Sequence, residues 1–146
     1  MTRLIIRKHA PEGYAAVSAL DGYLKRNVDP LLLDLVKLRA SQLNGCSFCV
    51  DMHATDLENQ GAPIRKIFAV SVWEETSFFA EAERAALALT EEITHISNGV
   101  DERVWEEAAS VFSQRELSDL VLAIGTINLW NRIGVSTHLA PPPLGN

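Results

Sequence analysis

Apolar positions recur along most of this chain at helical spacing, separated by clear start and stop signals. From Pro11 to about Asn27, Tyr14, Val17, Leu20 (or Ala19) and Leu24 share one face. Asp29-Pro30 then reads as an N-cap followed by proline at the first helical position. Leu31, Leu35, Leu38 and Leu43 carry the next segment, which stops near Asn44-Gly45. A third helix is expected from around Cys46 to Gly61, a glycine suited to a C-cap. Ala62-Pro63 opens a fourth, from about Ile64 to Trp73. Ala85, Leu89, Ile93 and Ile96 mark a fifth from about Glu81 to Ser97, ended by Asn98-Gly99. Asp101 caps a sixth, through Trp105 to Phe112. Ser113-Gln114-Arg115-Glu116 matches a capping box and starts a long last helix to about Val135. That helix is apolar nearly all round, which predicts burial at the centre of the fold or at a subunit interface.

No run shows the period of two expected of a strand, so the fold class is all-α, a bundle of about six to seven helices. The 146 residues suit one domain, 1–146, with a core over about 10–138 and a proline-rich tail, 140–146, that cannot be helical. A domain of this length buries enough surface to fold without disulfide staples. The net charge of −6 and pI near 5.2 offer no basic face for nucleic acid and argue against docking on anionic lipid. The apolar run Leu4-Ile5-Ile6 is too short for a signal-peptide core, and no apolar stretch approaches the ~18 residues of a membrane helix. A cytoplasmic protein is expected.

The chain has two cysteines, three residues apart. A secreted disulfide scaffold would carry more, spread along the sequence, so a close pair points to redox chemistry or metal binding. Cys46, Cys49 and His53 follow offsets of three and four, which put all three on one helical face. The sulfurs are close enough to form an internal disulfide at a helix start. The positive end of the helix dipole and His53 can both favour a thiolate, the nucleophilic form. A thiolate attacking a peroxide becomes a sulfenic acid; a second cysteine condenses with it, and an external dithiol resets the pair. We assign Cys49, one turn from His53, to the attack and Cys46 to resolution. Two other readings stay open: inert core cysteines, or half a zinc site completed by Asp34 or His95.

The run from Leu35 through Asn44-Gly45-Cys46-Ser47-Phe48-Cys49 to His53 resembles the alkylhydroperoxidase D-like core of the carboxymuconolactone decarboxylase superfamily. Ile127-Asn128-Leu129-Trp130-Asn131-Arg132 resembles a second signature, and with Gly61-Ala62-Pro63 and Glu83-Arg84-Ala85-Ala86-Leu87 the likeness spans about residues 10 to 138. The resemblance implies an all-α homo-oligomer, commonly trimeric or hexameric, and a thiol-dependent hydroperoxide reductase without metal or flavin. It implies a small organic hydroperoxide as oxidant and a reducing dithiol, such as a lipoyl group on a partner protein, as donor. Cys46 and Cys49 match the redox pair and His53 the proton relay. Asp34 stands where the relay has a glutamate; its shorter carboxylate is expected to reach His53 through a water. Phe48 replaces a histidine of the peroxidase relatives. Lactone-decarboxylating members generally lack the cysteine pair. A redox sensor or disulfide-exchange protein without peroxide turnover, or a zinc-binding structural module, is the alternative.

Within this segment Asp51 points elsewhere on the helix and reads as solvated or capping; outside it, His95 reads as a helix-end cation. Trp130 and Arg132 read as packing and ion-pairing elements, with Arg132 also able to hold an acidic partner. Trp73, Phe78 and Phe79 form an apolar cluster, while His9 and His138 show no pattern.

Overall fold

Asp29, Pro30 and Gly45 bracket the helix on which the rest of the chain is built. The computed structural model describes residues 1–145; Asn146, the end of the expected tail, lies outside the described residues. In chain order the helices are α1 (Ile6–His9), α2 (Pro11–Asn27), α3 (Pro30–Asn44), α4 (Ser47–Asn59), α5 (Ile64–Ala69), α6 (Glu81–Thr94), α7 (Glu102–Val111) and α8 (Gln114–Thr137). No strand occurs among the described residues, and none of their helices is long and apolar enough to cross a membrane.

Helix α3 is the hub. Asp29 accepts from the Leu32 N–H at 2.9 Å, Pro30 sits at the first turn, and Gly45 ends the helix in the left-handed region (φ 67°). Its sides feed three apolar clusters. Leu35 and Leu38 join Leu57, Val70, Trp73 and Leu87. Val36 joins Leu89, Leu120 and Ile124. Leu33 meets Leu24 and Ala123. A helix buried on so many sides holds its side chains by packing, which suits it to position a site.

Three elements differ from the pattern expected of the sequence. The fourth helix is α5 followed by a 3₁₀ segment, Val70–Glu75, kinked at Val72 (φ −131°, ψ 33°). The kink accompanies burial of Trp73, whose indole N–H donates to Glu91 at 2.8 Å. The fifth helix stops at Thr94, and His95 leaves helical geometry before a 3₁₀ turn at Ile96–Asn98. Ile96 is exposed, so the buried stripe that sustains α6 ends before it. The extra element is α1, a single turn inside the segment given no structure from sequence. Helix α8 is buried on one side, through Leu120, Ala123, Ile124, Ile127 and Asn131, while Leu122 and Leu129 remain exposed.

Candidate active site

Two residues turn the chain from α3 into α4. The Cys46 N–H donates to the Ser41 carbonyl at 3.0 Å, and the left-handed Gly45 makes the reversal possible. Cys46 becomes the N-cap of α4, and Cys49 lies in its first turn, with its N–H 3.4 Å from Cys46 Sγ. The two cysteines form a disulfide, with Cα atoms 5.3 Å apart. Both are buried. The sulfurs therefore sit at the positive end of a helix, where a thiolate released by reduction is favoured.

His53 follows one turn after Cys49 and is also buried. Its Nδ1 lies 3.0 Å from Asp34 Oδ1. The shorter carboxylate thus reaches the ring directly, without the intervening water expected from sequence. Asp34 Oδ2 accepts from Gln60 Nε2 at 2.5 Å, so both carboxylate oxygens are engaged. A neutral His53 facing this carboxylate carries its proton on Nδ1, which leaves Nε2 as the basic nitrogen. All four expected residues, Cys46, Cys49, His53 and Asp34, come together.

A cavity of about 590 Å³ opens beside them. Cys49, His53 and Phe48 line one wall, with Met52, Ile127, Trp130 and Ile133 among the apolar remainder. Trp130 is held edge-on to Tyr14, with ring centroids 5.1 Å apart. Leu4, Ile5 and Ile6 close another side, and the strand of chain before α1 is tied down by the Arg3 N–H donating to the Thr137 carbonyl at 2.8 Å. Sequence reasoning missed this N-terminal wall; an apolar triplet in a polar terminus was the available signal. It also missed Asp21, a lining residue, and the buried Lys37 that donates to it at 2.6 Å. Lys37 falls on the buried side of α3, where its aliphatic stem joins the packing and only its ammonium needs a partner.

A polar network fixes the end of α3 just before the cysteines. Asn44 Nδ2 donates to Asn128 Oδ1 at 2.9 Å and to Asn131 Oδ1 at 3.0 Å, and Asn131 donates to Ser41 Oγ at 2.9 Å. Arg132 donates to the Asn128 carbonyl and side-chain oxygens, each at 3.0 Å, so among the described residues its partners lie within this network and it makes no ion pair. Asp51 is exposed, as expected. Trp73 and Phe79 are buried in the apolar cluster, but Phe78 is 38% exposed and lies under Arg65.

Among the described residues, Asp34, His53 and Asp56 form a group whose ligand atoms all lie within 4.8 Å of one another, and this is the grouping able to take a cation. The cysteines, bonded to each other, offer no thiolates in this state, and His95 is outside that group.

The fold and site can be set beside known proteins. A model of the carboxymuconolactone decarboxylase family matches residues 11–92. The uncharacterized protein YdfG of Bacillus subtilis is 36% identical over 129 residues, 87% of this chain and 88% of YdfG. This chain belongs to the carboxymuconolactone decarboxylase family. The family match spans α2 to α6 and so includes the cysteines, His53 and Asp34. A second relative, the uncharacterized protein YnjA of Escherichia coli, is 31% identical over 77% of this chain, which spans 64% of YnjA. Among solved structures, a protein of unknown function from Agrobacterium tumefaciens, described as a candidate antioxidant defence protein AhpD, superposes with a TM-score of 0.95. It is 37% identical, and the match covers 99% of this chain and 100% of that one. The debrominase Bmp8 shares the fold at a TM-score of 0.80 and 18% identity, over 92% of this chain and 74% of that one.

Proposed function

We propose that this protein is a thiol-dependent hydroperoxide reductase with an antioxidant role in the cytoplasm. The observation that carries the reading is a cysteine pair at a helix N-terminus, with Cys49 and an Asp34-oriented His53 on the wall of one largely apolar cavity. The description of the Agrobacterium relative as an antioxidant defence protein supports the same class of activity.

In the cycle, the Cys49 thiolate attacks the terminal oxygen of an organic hydroperoxide. The O–O bond breaks, an alcohol leaves with a proton supplied through His53, and Cys49 becomes a sulfenic acid. The Cys46 thiolate attacks that sulfur, the S–S bond forms, and water is released. A dithiol restores both thiols and leaves as its own disulfide. A lipoyl group on a partner protein, implied by the family resemblance, fits that part. No metal or flavin is required, because the two sulfurs carry both electrons. Phe48 extends the apolar wall where the peroxidase relatives have a histidine; this favours an organic over a small polar peroxide. The protein works as a homo-oligomer, a trimer or hexamer, for which the exposed Leu122–Gly125–Leu129 stripe of α8 offers an apolar surface.

The test is an intact mass and free-thiol count of the reduced, metal-stripped protein before and after a small excess of cumene hydroperoxide. Loss of both thiols to an internal disulfide, repeated catalytically with a dithiol, is the expected result. Stoichiometric oxidation without turnover would make the pair a sensor, and surviving thiols would end the redox reading.

A further inference from the structure

The two cysteines of the disulfide line different openings. Cys49 lines the 590 Å³ cavity and Cys46 does not. Cys46 lines a second cleft of about 410 Å³, together with Gly45, Ser47, Val135 and His138, and Cys49 does not. Gly134 borders both. Its missing side chain is what lets the sulfurs lie against α8: a Cβ there would stand 2.8 Å from Cys46 Sγ and 3.6 Å from Cys49 Sγ.

We propose that the second cleft is the entry site for the reducing dithiol, and that the dithiol attacks Cys46. The proposal rests on the cycle above only for the existence of a reducing half-reaction. Thiol–disulfide exchange is an in-line displacement, so the incoming thiolate approaches one sulfur from the side away from the other. From the second cleft the reachable sulfur is Cys46. The new S–S bond forms between the dithiol and Cys46, the Cys46–Cys49 bond breaks, and its electron pair leaves on Cys49. That thiolate is released one turn from His53, which manages its proton. The second thiol of the donor then attacks its own first sulfur, closes the donor's disulfide and frees Cys46 as a thiolate. Two electrons pass from the dithiol to the protein. Oxidant and reductant thus enter by separate openings, and the reduced Cys49 is already in the cavity where the oxidant binds. His138, without a pattern in the sequence, falls in this second cleft, in the left-handed region at the end of α8 (φ 55°).

Two measurements on the oxidised protein test this, and neither uses a peroxide, so failure of the hydroperoxide reading would be seen separately. Val135 lines the second cleft and Met52 the larger cavity, and both are partly exposed, at 45% and 39%, so a larger side chain at either is accommodated without entering the core and narrows its own opening. The rate of disulfide reduction by dithiothreitol in V135W, divided by that in M52W, is expected to fall at least about tenfold below the same ratio for the unsubstituted sites, which is one. A ratio of one or more overturns the proposal, since the reductant would then enter by the larger cavity. Glutathione added to the oxidised protein is expected to be trapped on Cys46 when the mixed disulfide is mapped by peptide fragmentation. Trapping on Cys49 overturns it.

Discussion

Asp34 on α3 and His53 on α4 meet directly, Oδ1 to Nδ1, at 3.0 Å. A carboxylate at this place favours the proton of a neutral ring on Nδ1 and leaves Nε2 as the acceptor. Asp34→Asn keeps the size but removes the charge and can present the wrong group to Nδ1. It is expected to lower the rate of thiol oxidation by hydroperoxide about tenfold to a hundredfold. Asp34→Glu is expected to recover most of that rate. Stopped-flow measurement of thiol loss checks both, and an Asp34→Asn protein as fast as the parent would remove Asp34 from the relay.

The division of labour between the cysteines is open to direct trapping. In Cys46→Ser, hydroperoxide is expected to leave a persistent sulfenic acid on Cys49, captured by dimedone and located by mass spectrometry. In Cys49→Ser, no such adduct is expected and peroxide consumption falls to background. The reverse pattern would exchange the two roles.

Lys37 is buried on α3 with Asp21 as its partner at 2.6 Å. Removing the cation by Lys37→Ala leaves the half-buried Asp21 carboxylate with only the exposed Lys25, 3.5 Å away, and opens a gap in the hub. The expected loss is about 3 kcal/mol in urea unfolding, within the range for breaking buried pairs. A change under about 0.5 kcal/mol, typical of surface sites, would mean that water or Lys25 takes over from the ammonium.

An assembly through α8 predicts that Leu129→Glu, which charges the exposed apolar stripe, dissociates it. Light scattering coupled to size exclusion is expected to show a lower mass with helical content retained. An unchanged mass would place the interface elsewhere.

The capping box of α8 gives an acid-side prediction. The Ser113 hydroxyl and backbone N–H hold the Glu116 carboxyl below its ordinary range. A folded-state value below the unfolded one means a contribution that is present at neutral pH and lost as pH falls through the carboxylate range. The melting temperature gap between the parent protein and Glu116→Ala is therefore expected to stay constant near neutral pH and to narrow as pH falls below the ordinary carboxylate value of about 4.3. A gap independent of pH would mean that the carboxylate contributes nothing through its charge.

Local signals in the sequence carried the helices and the heart of the site. Asp29-Pro30, Gly45, Gly61 and Ser113–Glu116 are short-range devices whose geometry depends on a few neighbouring backbone groups, so each could be read in place. The same holds for Cys46, Cys49 and His53, whose common face follows from helical spacing alone. Asp34 was placed by family likeness, and its direct reach to His53 depended on how closely α3 and α4 pack. The kink at Val72 and the early end of α6 go with the burial of Trp73 and the exposure of Ile96. Lys37 shows nothing in the sequence, because its burial is tolerable only with Asp21 delivered from α2. Gly134 looks like any glycine in a long helix until the fold brings Cys46 within 2.8 Å of where its Cβ would be. The chemistry was thus determined by residues close in sequence, whereas the walls, the second opening and the partners of buried charges required distant segments to be packed together.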